Sequence, residues 1–246
     1  MVSGEARFVP RLGGAALIAG SLGFIAVVSY LASSFGYPDV LDEPASKVLP
    51  ALAAGGPSLR AAWLVYGAIP LALLVAGIAS MPFIERGAGR MLARFGGAMM
   101  AVASVSMMVG LLRWPSIQWV LAERWQDATG DQREVYAAIF DGANTYLGNI
   151  FGEYIGEMLL AGWFVAIGIA LRGMQRSRLG IGSIAMGIVV AVSAQRQLTD
   201  VVDPISDINN ALLPVWLIVL GVVLWRDLRA PRPRSEMPLA SVPSSV

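Results

Sequence analysis

Residues 12–32 read LGGAALIAGSLGFIAVVSYLA, 21 positions without a charge. A bilayer core about 30 Å thick needs roughly 20 apolar helical residues to cross it. The stretch exceeds the roughly 7–15 residue apolar region of a cleaved secretory signal, so it is expected to be a retained helix. Five further stretches have the same character: 61–84, 95–112, 150–171, 179–198 and 208–225. The fourth continues upstream without a helix breaker, which places that helix at 137–171. The expected architecture is all-α, a polytopic bundle of about six transmembrane helices. Residues 1–228 form one helical domain, and 229–246, rich in Pro, Ser and Arg, form a disordered cytoplasmic tail.

Composition agrees. Of 246 residues, 56% are hydrophobic and only 14% charged, with a mean hydropathy of +0.64. Soluble domains run near a quarter charged, so these residues must meet lipid or each other. The net charge of +1 suggests no nucleic-acid partner. Cysteine and histidine are both absent. That removes disulfides, thiolate nucleophiles, imidazole metal sites and Ser-His-Asp chemistry, and no cofactor is implied. The one lysine, Lys47, lies outside every apolar run, which argues against a retinal-type Schiff base.

Orientation follows from the basic residues. With six spans, one side carries Arg7, Arg11, Arg86, Arg90, Arg94, Arg172, Arg176, Arg178, Arg226, Arg229, Arg232 and Arg234. The other carries Lys47, Arg60, Arg113, Arg124, Arg133 and Arg196. The first side has the short connections, so both termini are expected in the cytoplasm of a bacterial inner-membrane protein. The outer connections are longer. Residues 33–60 hold the turn signals Tyr37-Pro38-Asp39, Pro44, Pro50 and Gly55-Gly56-Pro57. Residues 113–136 hold Trp114, Trp119 and Trp125 among charges, the pattern of an amphipathic segment lying at the membrane surface.

Helix four is unusual in carrying Asp141, Asn144, Asn149, Glu153 and Glu157. Taking Leu171 as the cytoplasmic edge, a 1.5 Å rise puts Glu157 about 21 Å and Glu153 about 27 Å up. Arg113, Arg196 and the Asn209/Asn210 pair fall about 23–27 Å up their own helices. An outer polar layer is therefore expected from Arg113, Glu153, Glu157, Gln195, Arg196, Gln197 and Asn209/Asn210. Within it two arginines and two glutamates neutralise each other. Ionisable groups at membrane depth usually face a bundle interior or a water-filled cavity. The layer reads first as a packing device, next as the floor of an outward-open pocket for a small molecule, ion or lipid headgroup, and last as a proton-carrying Glu153/Glu157 pair. Gly148, Gly152 and Gly156 form a small-residue stripe suited to close intramolecular helix contact. Pro70 and Pro214 are expected to kink their helices, and Ser104, Ser106 and Ser193 read as packing hydroxyls.

Several strings carry a resemblance: Tyr37-Pro38-Asp39-Val40-Leu41, Arg113-Trp114-Pro115, Asn144-x-Tyr146-x-Gly148 with Gly152-Glu153 and Gly156-Glu157, and Pro214-x-Trp216-Leu217-Ile218. Together the chain resembles the bacterial membrane family catalogued as domain of unknown function 4386, from about residue 11 to 225. The resemblance implies a multi-helix membrane protein and supplies no catalytic residues. The candidate binding set is Glu153, Glu157, Arg113, Arg196, Asn144, Asn209 and Asn210. Competing readings are a structural or sensory protein whose outer loops bind a partner, and an intramembrane enzyme acting on lipid through Glu157 or Asp141. The bilayer is the one partner implied outright, and the oligomeric state is left open.

Overall fold

The computed structural model describes residues 2–226, which are 92% helical with no strand among them. The tail expected at 229–246 lies outside the described residues. Six helical segments are long and apolar enough to cross a membrane: Val9–Phe35, Gly56–Ala88, Arg90–Trp125, Gly130–Gly173, Ser177–Gln197 and Asp200–Arg226. The chain is a multi-pass transmembrane helix bundle, and each segment contains the apolar run expected for it, save that the fifth ends at Gln197, one residue short of the expected 198. Its outer faces suit lipid. Leu22, Leu64, Val65, Ile78, Phe95, Val102, Ile181, Ile188 and Val215 stand exposed on the spans, a surface that a soluble monomer does not carry.

The elements are α1 (Val2–Phe35), α2 (Ala45–Ala54), α3 (Gly56–Ala68), α4 (Pro70–Ala88), α5 (Arg90–Leu112), α6 (Trp119–Trp125), α7 (Gly130–Ala143), α8 (Gly156–Gly173), α9 (Ser177–Ser193) and α10 (Asp203–Arg226). The spans close into a ring, each packing on its neighbour in sequence, with α10 returning to α1. The fourth span also reaches across to α4, which makes it the central post of the bundle. Pro70 marks the junction of α3 and α4, as its missing N–H predicts. Its carbonyl accepts a hydrogen bond from the Ser104 hydroxyl. Pro214, in contrast, sits inside an uninterrupted α10.

Two cores divide the molecule. One runs through the middle and the arginine-rich end, where Phe83, Ile84, Met100, Leu160, Trp163, Phe164, Leu220 and Leu224 are buried. Trp163 donates to the Ser80 hydroxyl at 3.1 Å, and Ser80 donates to the Gly77 carbonyl at 2.9 Å, so no polar group of that pair is stranded. The other core lies at the loop-rich end and is aromatic. Trp63 stacks on Trp114 with centroids 4.7 Å apart, ringed by Phe35, Tyr37, Tyr66 and Phe140.

This second core corrects the surface-lying segment expected at 113–136. The third span does not turn onto the membrane there. It continues through wide π-type turns at Trp114–Gln118 into α6. Trp119, Leu121, Ala122 and Trp125 are buried rather than offered to lipid headgroups, and α6 packs on α2. The fourth span likewise begins at Gly130, seven residues before its expected start. Spans of 36 and 44 residues are about 54 and 66 Å long, against a hydrocarbon core of about 30 Å. Their loop-rich ends therefore stand beyond the bilayer and, with α2, build a helical cap.

Candidate functional site

The polar layer forms where the fourth, fifth and sixth spans meet below the cap. Its centre is Arg196, in the short tight turn Ala194–Gln197 that ends the fifth span. Its Nη2 donates to Glu153 Oε2 at 2.7 Å, and its Nη1 lies 3.1 and 3.4 Å from the two Glu157 oxygens. The same Nη1 also lies 3.2 Å from Ser193 Oγ and 3.1 Å from Ser206 Oγ. One nitrogen with two hydrogens thus faces four oxygens. Gln197 adds a 2.7 Å hydrogen bond to Glu153 Oε2.

Local geometry explains the convergence. Glu153 and Glu157 are four residues apart in a helix whose section Asn144–Ile155 is wound in π-type turns. Both side chains therefore reach the same guanidinium. Wide-turn sections recur at functional sites because they re-aim side chains without ending the helix. Ser193 and Arg196 are three apart, as are Ser206 and Asn209, the spacing that places two side chains on one face. Neither spacing was used in reading the sequence. Ser193, expected to be a packing hydroxyl, is instead a hub: it receives Arg196 Nη1 and, at 3.2 Å, Asn209 Nδ2.

Exposure falls across the layer. The side chains of Glu153 and Arg196 are 29% and 21% exposed, whereas Glu157 falls to 10%. Ser193, Ser206 and Asn209 are buried. Asn209 Oδ1 is fully enclosed and has no hydrogen-bond partner. A buried acceptor without a partner costs about 1–3 kcal/mol.

Arg113 does not join this group as expected. It is buried, yet among the described residues it ion-pairs with no carboxylate. Its Nε donates to Asn144 Oδ1 at 2.9 Å, its Nη1 donates to the Gly110 carbonyl at 2.6 Å, and its guanidinium lies over the Trp114 ring. Arg113 thus makes no direct ion pair with the triad, although Glu153 acts on it through space. The triad of Glu153, Glu157 and Arg196 holds two carboxylates against one guanidinium. Asn144 also accepts from Gln118 Nε2 at 2.9 Å, a partner that the sequence reading missed. Gln118 follows Arg113 by five residues, one wide turn, so both reach Asn144.

Two other expected members stand apart. Asn210 is exposed, about 100° around α10 from the buried Asn209. Gln195 donates to the Ala191 carbonyl at 3.0 Å, back onto its own helix. Tyr37 comes in from the first long connection and meets Tyr66 hydroxyl to hydroxyl at 3.1 Å. Burial pushes its phenol pKa up; the Tyr66 hydrogen bond pulls it down, Glu153 adds to the rise, and Arg113 and Arg196 oppose it. The cap is therefore electrically in touch with the layer.

The glycine stripe performs the intramolecular packing expected of it. Gly152 meets Gly110 of α5 backbone to backbone, Gly156 lies against Met107, and Gly148 lies against the Arg113 guanidinium. Two cavities, of about 400 and 550 Å³, lie at the other end of the molecule, lined by Gly87, Arg172 and Gln175 and by Arg90, Arg94 and Phe95. Neither touches the layer.

The family model described as Domain of unknown function (DUF4386) matches residues 12–225. No curated protein and no solved structure matches the chain. The match covers most of the sequence, and the chain belongs to that family.

Proposed function

We propose that this family member binds a small charged ligand in the layer between its fourth, fifth and sixth spans, entered from the side of the cap. The observation that carries the reading is the gradient across one ion-paired cluster. Arg196 and Glu153 form a partly exposed mouth, and Glu157, Ser193, Ser206 and Asn209 form a buried floor whose Asn209 Oδ1 is unpartnered. Charged groups inside membrane proteins are rare, face the bundle interior or a water-filled cavity, and mark ligand and ion pathways. The basic short connections support an orientation with both termini and the arginine-rich end in the cytoplasm and the cap outside, as proposed for a bacterial inner-membrane protein.

The competing reading is a packing device, and the closed Arg196 triad favours it. The chain's lack of cysteine makes the choice experimentally clean. Single-cysteine variants at Ser193 and Ser206 are treated with a membrane-impermeant thiosulfonate reagent on right-side-out vesicles. Ser46→Cys, exposed on α2, serves as the accessible control, and Ser80→Cys, buried in the main core, as the sealed one. Modification of Ser206→Cys from the outer face supports a pocket. If Ser46→Cys reacts while Ser193→Cys and Ser206→Cys behave like Ser80→Cys, the layer is sealed and the packing reading stands.

A further inference from the structure

We infer that the arginine-rich end carries a site for one anionic phospholipid, with its phosphate on Arg90 and Arg94 and an acyl chain laid along α5. The site is separate from the polar layer and does not rest on it. A cavity of about 550 Å³ opens there, lined by Arg90, Met91, Arg94, Phe95 and Ala98, all from the start of α5.

Helical spacing explains the lining. Arg90 and Arg94 are four apart, so both stand on one face. Met91, Phe95, Ala98, Val102 and Val105 follow at steps of three and four, and all are exposed. The opposite face is committed to the bundle, where Gly96 meets Ala166 of α8 and Gly97 meets Met81 of α4. The stripe from Met91 to Val105 is about 21 Å long, more than the roughly 15 Å hydrocarbon depth of one leaflet. A lipid with its phosphate at the arginines therefore has protein alongside its chain as far as the middle of the bilayer.

The electrostatics ask for an anion. Like charges four apart on a helix repel, and cationic side chains at a helix N-terminus oppose its macrodipole. The first turn of α5 has no acidic residue, and no side chain caps it. The nearest acid in sequence, Glu85, accepts from Arg90 Nε at 3.2 Å, which leaves the two Nη groups of Arg90 available. Arg94 makes no hydrogen bond or ion pair among the described residues. Guanidinium forks match phosphate oxygens, and basic pockets at the membrane surface hold acidic headgroups. A free phosphate would use the arginines and ignore Met91, Phe95 and Ala98. The exposed apolar lining selects the lipid.

The test is thermal unfolding of the full-length protein in detergent, at fixed pH and ionic strength, with dioleoylphosphatidylglycerol or dioleoylphosphatidylcholine titrated into the micelles. A ligand of the native state stabilises it in a saturable way. Phosphatidylglycerol is expected to raise the melting temperature; phosphatidylcholine, with the same chains and no net charge, is not. Arg94→Gln should raise the half-saturating phosphatidylglycerol about fivefold, the worth of one arginine at an anionic surface. Ala98→Trp, which fills the cavity and keeps both arginines, should raise it as well. Arg178→Gln removes the same charge from an exposed position at the start of α9 and should leave it unchanged. Equal shifts with the two lipids overturn the inference. So does a loss in Arg178→Gln that matches Arg94→Gln, because the attraction then belongs to the whole basic end. Inorganic phosphate that stabilises as strongly as phosphatidylglycerol overturns it too, since the acyl chain then contributes nothing.

Discussion

Replacing Gly110 with alanine tests the closest helix contact near the site. A methyl group there would stand 2.7 Å from Gly152 Cα and 3.0 Å from the Leu147 carbonyl oxygen, both backbone atoms. Carbon atoms in good contact sit roughly 3.5–4.0 Å apart, so the third and fourth spans must part locally by about 1 Å. Overpacking of this kind costs about 1–3 kcal/mol, while exchanging a helical glycine for alanine returns about 1 kcal/mol. The net expectation is a loss of about 0–2 kcal/mol. Gly142→Ala is the matched control: it sits in α7 with nothing within 4 Å of the new methyl. It should gain about 0.5–1 kcal/mol. The two variants should therefore separate by roughly 2 kcal/mol, about 4–8 °C in melting temperature for a chain of this size. Thermal unfolding followed by tryptophan fluorescence reads the difference directly. If Gly110→Ala melts at or above the temperature of Gly142→Ala, the two spans are not in backbone contact and the packing argument fails.

Three further expectations follow from the same geometry. Trp63→Ala, which empties the stacked centre of the cap, should cost about 3–5 kcal/mol; Ile78→Ala, on a lipid-facing surface, should change stability by less than about 1 kcal/mol, and equal losses would contradict the two-core description. Asn144→Leu strips the acceptor from both Arg113 Nε and Gln118 Nε2 and should cost about 1–3 kcal/mol or more because one donor is charged. Asn210→Leu, at an exposed position, should be near neutral in the same melts. Reporter fusions after Arg90 and Arg176 should both read cytoplasmic; a periplasmic signal at either position refutes the six-span orientation.

The membrane-embedded half of the fold was legible because lipid imposes its own signature: 20 apolar residues per crossing and arginines at the short connections. That Glu153, Glu157 and Arg196 share a level was legible too, since helical rise converts residue count into relative height. Which partners pair within it was not. Arg113 and Arg196 lie at similar heights, but their pairing depends on rotation about the helix axis and on the wide turns at Trp114–Gln118 and Asn144–Ile155. Height alone does not report either. The cap escaped for a related reason. Past the bilayer the hydropathy signal fades, so the continuation of the third span into α6 looked like a loop rich in tryptophan. Those tryptophans were noticed, but their burial comes from α2, whose contact with α6 joins residues about 70 positions apart.

The helix from Gly130 to Gly173 is one rod without an intervening loop. Mechanically it is a lever: its upper arm is in water, and its lower arm is clamped among the other spans. Whatever presses or twists the cap delivers that load along the rod to Glu153 and Glu157, with no slack connection to absorb it. The one compliant stretch on the way is the wide-turned section that carries Glu153 itself.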